Sequence, residues 1–426
     1  MKYSITTLGC KVNQYETQAI DAILQERGHS SVESEADAVI VNTCAVTAES
    51  GRKSRQAVRR IRQENPGALV VICGCFSQVS PEEARNLDAD IIYGTGDKIK
   101  LIDDLEAAFS SRRPVENIDD PFKRMTFERL PAGAVDGRTR AMLKVQDGCD
   151  NFCTYCIIPY ARGRVRSLSI EDAAKQAREL AAQGFKEIVI TGIEIASYGK
   201  DFKDGSGLID VIEAVALAVP DLRIRLGSLE PTIVTRAFCS RLRSLGNVCA
   251  HFHLSLQSGS DATLKAMKRK YTTKEFFAVT ELLREFFPNC ALTADLIAGF
   301  PEETDGEHHE TLVFIEKCRF SSMHIFPYSI RPGTKAADMK GQHNKAVKSR
   351  RAREAQAVAS RMQRDYLESC VGKTVQVLFE TSSGEKCIGH ADNYCAVSAE
   401  GEHLRGFVKR VEITSVSGEM LVGKII

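Results

Sequence analysis

Cys149-Asp150-Asn151-Phe152-Cys153-Thr154-Tyr155-Cys156 is the stretch that organises this chain. Its thiols are separated by three and then two residues. It follows an apolar run, Met142-Leu143-Lys144-Val145, that reads as a strand. Three cysteines this close wrap one small metal cluster. They are one ligand short of the four thiolates that close a four-iron cluster used only to carry electrons. One iron is then open to bind a substrate or cofactor directly. A zinc knuckle is the competing reading, but zinc asks for four ligands, usually a second Cys pair or a nearby histidine. The nearest histidines in sequence are His29 and His251. The spacing is therefore read as an iron–sulfur site.

This spacing, with Tyr155 just before the third cysteine, resembles that of the radical S-adenosylmethionine (radical SAM) enzymes. The resemblance implies that the open iron chelates the amino and carboxylate groups of SAM, whose sulfonium is cleaved by an electron from the cluster. Downstream, strand-like runs fall at Glu187–Thr191, Arg223–Leu226, His251–Ser255, Ala291–Ile297 and Met323–Phe326. Helical patterns lie between most of them, such as Ile170–Gln183 and Lys274–Phe286. With Met142–Gln146 they make six βα-type units, fewer than the eight of a closed barrel. The same resemblance implies a partial, open (β/α)6 barrel.

Polar residues gather at the carboxyl ends of these strands, the side where such barrels carry their sites. They include Thr191-Gly192-Ile193-Glu194, Ser228-Leu229-Glu230, Ser255-Leu256-Gln257, Asp295 and Gly299-Phe300-Pro301. By resemblance, the turn at Gly192 lies near the SAM amino group, and Glu230 and Gln257 bond the ribose. Tyr155 brings its backbone to the adenine, and Asp295 completes the cofactor-binding set.

The N-terminal third alternates strands (Ser4–Leu8, Ala38–Asn42, Leu69–Ile72) with helices (Glu16–Arg27, Glu49–Glu64). That order predicts a parallel sheet with helices on its faces. Cys10, Cys44 and Cys75 sit just beyond the three strands. The carboxyl ends of parallel strands share one edge, so residues remote in sequence converge there. The three thiols are read as a second metal site; core cysteines would fall inside the strands. Cys73 is the rival to Cys75. The two share a face if the strand continues, so alternation alone does not separate them. Gly74 ends the strand between them, and Cys75 lies further into the loop.

Leu8-Gly9-Cys10-Lys11-Val12-Asn13-Gln14-Tyr15-Glu16, Asn42-Thr43-Cys44-Ala45-Val46-Thr47 and Gly74-Cys75 resemble the N-terminal domain of the methylthiotransferases. Gln146-Asp147-Gly148-Cys149 through Cys156-Ile157-Ile158-Pro159-Tyr160-Ala161-Arg162-Gly163 is similar to their radical SAM signature. Three branches of that family modify isopentenyladenosine in tRNA, threonylcarbamoyladenosine in tRNA, or an aspartate of a ribosomal protein. The Cys10–Glu16 string and Tyr160–Ser167 resemble the threonylcarbamoyladenosine branch. Glu194 departs from the family pattern, which often has His or Asn there. The resemblance implies two 4Fe-4S clusters and two uses of SAM, as methyl donor and as source of the radical that removes the C2 hydrogen of the base. An electron donor such as flavodoxin or ferredoxin and a sulfur source are implied as partners. The threonylcarbamoyl group carries a carboxylate, which calls for a cation; Arg162, Arg164, Arg166 and Arg331 are the candidates.

The 426 residues carry 57 Lys and Arg against 56 Asp and Glu, so global charge names no partner. Fourteen cysteines without a secretory signal point to reduced thiols in a cytoplasmic protein. No apolar run is long enough to span a membrane. Ala336–Tyr366 reads as a long basic helix, with tRNA contact as its expected use. Beyond it, Thr374–Phe379, Cys387–His390, Ala396–Ser398, Gly406–Ile413 and Met420–Val422 predict a small β-barrel. It resembles the RNA-binding TRAM domain that ends the family's proteins.

The expected architecture is α/β in three parts. Residues 1–130 form the sheet domain with the auxiliary cluster, 138–368 the radical SAM barrel and 371–426 the TRAM-like domain, with Pro114–Gly137 as the first linker. The expected activity is C2 methylthiolation of threonylcarbamoyladenosine next to the anticodon of tRNA. Methylthiotransfer to isopentenyladenosine or to a ribosomal-protein aspartate is the alternative. A non-enzymatic iron–sulfur RNA-binding protein is a further one, disfavoured because structural metal sites are usually closed.

Overall fold

The computed structural model describes residues 1–132, 139–384 and 386–426. Its N-terminal sheet is wholly parallel, in the order Ser30–Ser31, Lys2–Thr7, Ala38–Thr43, Leu69–Gly74, Ile91–Tyr93, Val115–Asn117. Every residue of Ala38–Thr43 and Leu69–Gly74 is buried, as expected of strands covered on both faces. Alternation sends Ile40 and Val71 to the helices Lys11–Glu26 and Lys98–Ser111. It sends Val41, Val70 and Ile72 to the helix Ala48–Glu64 on the other face. The expected linker begins with a strand: Val115–Asn117 pairs with Ile91–Tyr93 as the sheet edge. Strands of three residues carry too little pattern to read. The linker's far end, 133–138, lies outside the described residues.

The central domain is a partial barrel of six long parallel strands in two four-stranded sheets. One sheet holds Arg223–Leu226, Glu187–Gly192, Arg140–Asp147 and the short antiparallel Arg166–Ser167. The other holds Ser228–Leu229, His251–Gln257, Ala291–Ala298 and Ser322–Pro327. The third strand crosses between them at Gly227, where a Cβ would sit 3.0 Å from the Ile190 carbonyl oxygen.

One face of each strand packs outward: Leu143, Ile188, Ile190, Phe252, Leu254, Leu292 and Ala294 meet the surrounding helices. The alternating residues face inward and are polar. They include Lys144, Glu187, Arg225, His251, His253, Asp295 and His324. Closed barrels of this class fill that space with branched apolar side chains. Here helix Lys11–Glu26 packs on the strands Arg140–Asp147 and Glu187–Gly192 from the N-terminal domain.

The helix Lys345–Ser369 leads into a closed five-stranded barrel formed by Thr374–Ser383, Lys386–Ala391, Ala396–Glu400, Met420–Ile425 and Val408–Ser417. This barrel docks at the amino ends of the central strands. Arg223 donates to the carbonyls of Gln376 and His390, and Arg225 to those of Ala391 and Asp392. Tyr394 stacks on His251 at 4.9 Å and under the Arg225 guanidinium at 4.7 Å. Among the described residues no helix is long and apolar enough to cross a membrane.

Candidate active site

The strand Arg140–Asp147 delivers the cysteine loop to the carboxyl end of the barrel. Gly148 turns it at φ +73°, where a Cβ would strike the Arg164 carbonyl oxygen at 1.8 Å. Backbone bonds then fix the loop: Cys149 N–H donates to Gly163 O, Cys156 N–H to Cys153 O, and Thr154 N–H to Met267 O. Gln146 clamps it further, donating to the Asp147 and Gly148 carbonyls and accepting from Glu194 N–H. Gly192 lies against the same glutamine, where a Cβ would meet its Oε1 at 2.9 Å.

Cys149 and Cys153 are buried and Cys156 is half-buried. Burial pushes the Cys149 and Cys156 thiols up to about 12, and neighbouring Cys153 adds to both. Protons must therefore leave as a metal enters, the usual coupling of thiolate sites to metal binding. The donor set of three soft sulfurs facing one space fits an iron–sulfur cluster with one iron open.

A residue the sequence reading passed over sits beside it. Arg269 donates to Cys153 Sγ at 3.3 Å and to Ser255 O at 3.3 Å, and lies 3.6 Å from Glu230. Glu230 accepts from Asn151 at 3.1 Å, so its carboxylate is already tied to the cysteine loop. Nothing but a short charge run, Lys268-Arg269-Lys270, marks Arg269 in the sequence. Glu194 caps its own turn and accepts from Ala196 N–H. Burial and the nearby Glu230 push its carboxyl up to about 7.

The second group of thiols meets at the sheet edge. Cys10 stands at the N-cap of helix Lys11–Glu26, Cys44 follows Ala38–Thr43, and Cys75 opens the helix Cys75–Val79. Gly9, at φ +109°, lets the first loop approach the second; a Cβ there would lie 2.9 Å from Cys44 Sγ. Burial raises all three thiols, and in each case the Arg162 guanidinium works against that rise. Gly74, at φ +103°, separates Cys73 from Cys75. Cys73 points into the core between the sheet and helix Lys11–Glu26, whereas Cys75 lies on the opposite face. The donor set of Cys10, Cys44 and Cys75 again fits a three-thiolate cluster.

Arg162 itself is a correction. It was one of four candidates to grip a substrate carboxylate, but it has no exposed surface. Its guanidinium is paired with both oxygens of Glu16 and with Asn13 Oδ1. Lys144 donates to Glu16 and Asp147 in the same network. Burial pushes Glu16 up, but Arg162, Lys98 and Lys144 more than offset it and hold the carboxyl at about 2. Asn13 also donates to Leu8 O and Thr43 O. The Cys10–Glu16 string thus joins the sheet domain to the barrel.

Glu16→Ala leaves Arg162 buried without its bidentate partner. The expected cost is about 3–5 kcal/mol, the range for breaking a buried pair. It is read as a lower urea midpoint by circular dichroism. A change below about 1 kcal/mol would show that the pair adds no stability.

The other candidate arginines diverge. Arg166 is buried and donates to the backbone carbonyls of Arg162 and Arg164, so it too is structural. Arg164 is exposed and pairs with Asp150 at 3.2 Å. Arg331 lies near Cys44, and its Nε is buried with no hydrogen-bond partner. On the basic helix, Arg351 is buried against Glu303, and Lys348 lies over the Tyr328 ring. A cavity of about 620 Å³ lined by Arg284, Arg319, Arg361, Arg364 and Lys373 lies beside that helix, and none of the six candidate cluster thiols lines it.

Between the two thiol groups is a cavity of about 220 Å³. Tyr155 and Cys156 line it from the barrel loop, and Gln257, Asp295 and Phe326 from the strand ends. Val46 and Thr47, just after Cys44, line it from the N-terminal domain. A bond from Ala48 N–H to Ser329 Oγ, 2.8 Å, ties the N-terminal domain to the barrel beside it.

Residues 143–315 match the radical SAM superfamily, and residues 2–94 match a family described as uncharacterized protein family UPF0004. The threonylcarbamoyladenosine tRNA methylthiotransferase MtaB of Bacillus subtilis (strain 168) is 38% identical over 416 residues, covering 96% of this chain and 92% of the relative. The tRNA-2-methylthio-N(6)-dimethylallyladenosine synthase of Acetivibrio thermocellus is 33% identical over 438 residues, covering 100% of this chain and 91% of the relative. Among solved structures, the radical S-adenosylmethionine methyltransferase TsrM from Kitasatospora setae superposes with a TM-score of 0.59 at 16% identity. That match covers 79% of this chain and 77% of TsrM, and it speaks to the fold.

Proposed function

The chain belongs to the radical SAM methylthiotransferases, and from that membership we propose that it converts N6-threonylcarbamoyladenosine next to the anticodon of tRNA to its 2-methylthio derivative. The observation that carries the reading is the cavity between the two cysteine groups, lined by residues adjoining both. A base reaching it must leave its stack. Bound at Cys149, Cys153 and Cys156 and at Cys10, Cys44 and Cys75, two 4Fe-4S clusters with SAM supply the radical, sulfur and methyl chemistry. The chain's own residues orient and exclude water. Gln146 and Gly192 set the loop, Arg269 faces Cys153, and Tyr155 and Gln257 wall the cavity. The work is placed in the cytoplasm, with an electron donor such as flavodoxin or ferredoxin and a sulfur source as partners.

The choice of base turns on charge. The threonylcarbamoyl group brings a carboxylate, and half-buried Arg331, near Cys44, is a cation whose Nε has no hydrogen-bond partner. Arg331→Ala is expected to leave SAM cleavage without tRNA intact. Turnover on threonylcarbamoylated tRNA should fall about 10- to 150-fold, the equivalent of a charge-assisted hydrogen bond of about 1.5–3 kcal/mol. The anaerobically reconstituted enzyme should thiolate that tRNA and ignore tRNA bearing the isopentenyl base, as read by nucleoside mass spectrometry. Equal activity on both, or activity only on a ribosomal protein, refutes the choice of base.

A further inference from the structure

Only part of the barrel's cysteine loop faces the substrate cavity. Tyr155 and Cys156 line that cavity, whereas none of Asp150, Asn151 and Phe152, the spacer between the first two thiols, does so. Each of these three residues instead holds a group that reaches the protein surface. Asp150 pairs at 3.2 Å with Arg164, whose side chain is 60% exposed. Asn151 accepts at 2.8 Å from the ammonium of Lys270, an exposed residue. Phe152 stacks on Phe122 at 6.3 Å, and the exposed Tyr160 meets both rings edge-on, at 5.9 and 6.3 Å. We propose that this face, three aromatic rings bordered by Arg164, Lys268 and Lys270, is the docking surface of an acidic carrier protein that passes one electron to the barrel cluster. The inference rests on the radical SAM reading of Cys149, Cys153 and Cys156.

Electron tunnelling weakens exponentially with distance, so a carrier has to seat where the cluster thiols come close to the surface. Here they do. Arg269, between the two exposed lysines, donates to Cys153 Sγ at 3.3 Å. One residue of sequence thus separates each lysine from a contact to a cluster ligand. Phe152 holds a φ of +47°, a left-handed backbone uncommon for a bulky side chain. Conformations of this kind gather where a fold keeps a residue for use. In this loop it keeps the ring packed with Phe122 and Tyr160.

Charge specifies the partner. Arg164 is matched by Asp150, but among the described residues no carboxylate pairs with Lys268 or Lys270. The border is therefore cationic, and its complement is an acidic rim around an exposed redox centre. Opposite charges speed encounter and set orientation more than they add affinity. That suits a carrier that must leave after each electron, and such encounters bury small areas. One electron leaves the reduced carrier for the cluster, and no covalent bond changes in that step. An RNA backbone is the rival occupant of a cationic surface. The proposed substrate base enters at the cavity, which this face does not line, so a carrier here could reduce the cluster with tRNA in place.

The test uses the full-length, anaerobically reconstituted enzyme with SAM and no tRNA. Release of 5′-deoxyadenosine is compared under dithionite, which needs no docking surface, and under a reduced acidic flavodoxin or ferredoxin. Binding of each oxidised carrier is measured separately by calorimetry. Lys268→Glu with Lys270→Glu should leave the dithionite rate unchanged. Carrier binding and the carrier-driven rate should each fall about 10-fold or more at low salt, within the 10- to 1,000-fold that charge steering supplies. The gap should narrow as salt screens the surface. Lys268→Glu alone, at an exposed position, gives a smaller loss in the same direction and serves if the double variant loses iron. A variant slowed equally under dithionite and carrier overturns the docking role, as does one that binds and uses both carriers like the wild type. A wild type that takes electrons from neither carrier overturns it too. Weaker binding of threonylcarbamoylated tRNA in a gel shift, with carrier binding unchanged, would assign the surface to RNA instead. A wild type silent under dithionite as well would refute the SAM reading itself, and this surface with it.

Discussion

Replacing Cys149, Cys153 and Cys156 together by Ala is expected to remove about half the iron of the reconstituted protein, from about eight atoms to about four, and to abolish SAM cleavage. The three thiols share one loop with no competing role. They are fixed by backbone bonds to Gly163 and Met267 and by the Gln146 clamp, none of which depends on the sulfurs. The variant should therefore fold. Its remaining iron should sit at the sheet edge, because Cys10, Cys44 and Cys75 belong to a separate element set. The measurements are iron per chain and 5′-deoxyadenosine released under a strong reductant. A triple variant with full iron and undiminished SAM cleavage would sink the assignment.

The larger elements could be read because their periodicities are strong. Ala38–Asn42 was expected and Ala38–Thr43 is found; Glu49–Glu64 was expected and Ala48–Glu64 is found. The parallel sheet, the partial barrel and the C-terminal β-barrel all follow from such runs. What escaped was short or non-local. Ile91–Tyr93 and Val115–Asn117 are three residues each and borrow their order from the strands beside them. The fate of Arg162 depends on Glu16, 146 residues away in sequence. A positive charge after a cysteine loop reads equally as a substrate contact or as a buried pair, and only the fold brings its partner to it. Arg269, in the loop after the helix Asp261–Ala266, shares that problem, since Cys153 and Glu230 reach it only in the folded barrel.

The last expectation separates the two thiol groups by what each loss does. Cys10→Ala, Cys44→Ala or Cys75→Ala should leave 5′-deoxyadenosine formation intact and stop thiolation of tRNA. SAM chelation needs only the open iron in the barrel, and these three thiols stand on elements of the N-terminal sheet domain. Cys73→Ala is the internal control. It belongs to the buried core cluster that also holds Tyr15 and Ile20, and burial pushes its thiol up to about 12. Removing it should cost only stability, of order 1 kcal/mol for a small cavity. Cys75 instead follows the Gly74 break, beyond the strand and on the other face of the sheet, where Cys10 and Arg162 are its electrostatic neighbours. Auxiliary iron should therefore vanish with Cys75 and persist without Cys73. If it vanished with Cys73 and persisted without Cys75, the strand would have to run on through Gly74 and turn Cys73 to the open edge. The left-handed φ of Gly74 and the Thr43 carbonyl 2.5 Å from where its Cβ would stand oppose that arrangement.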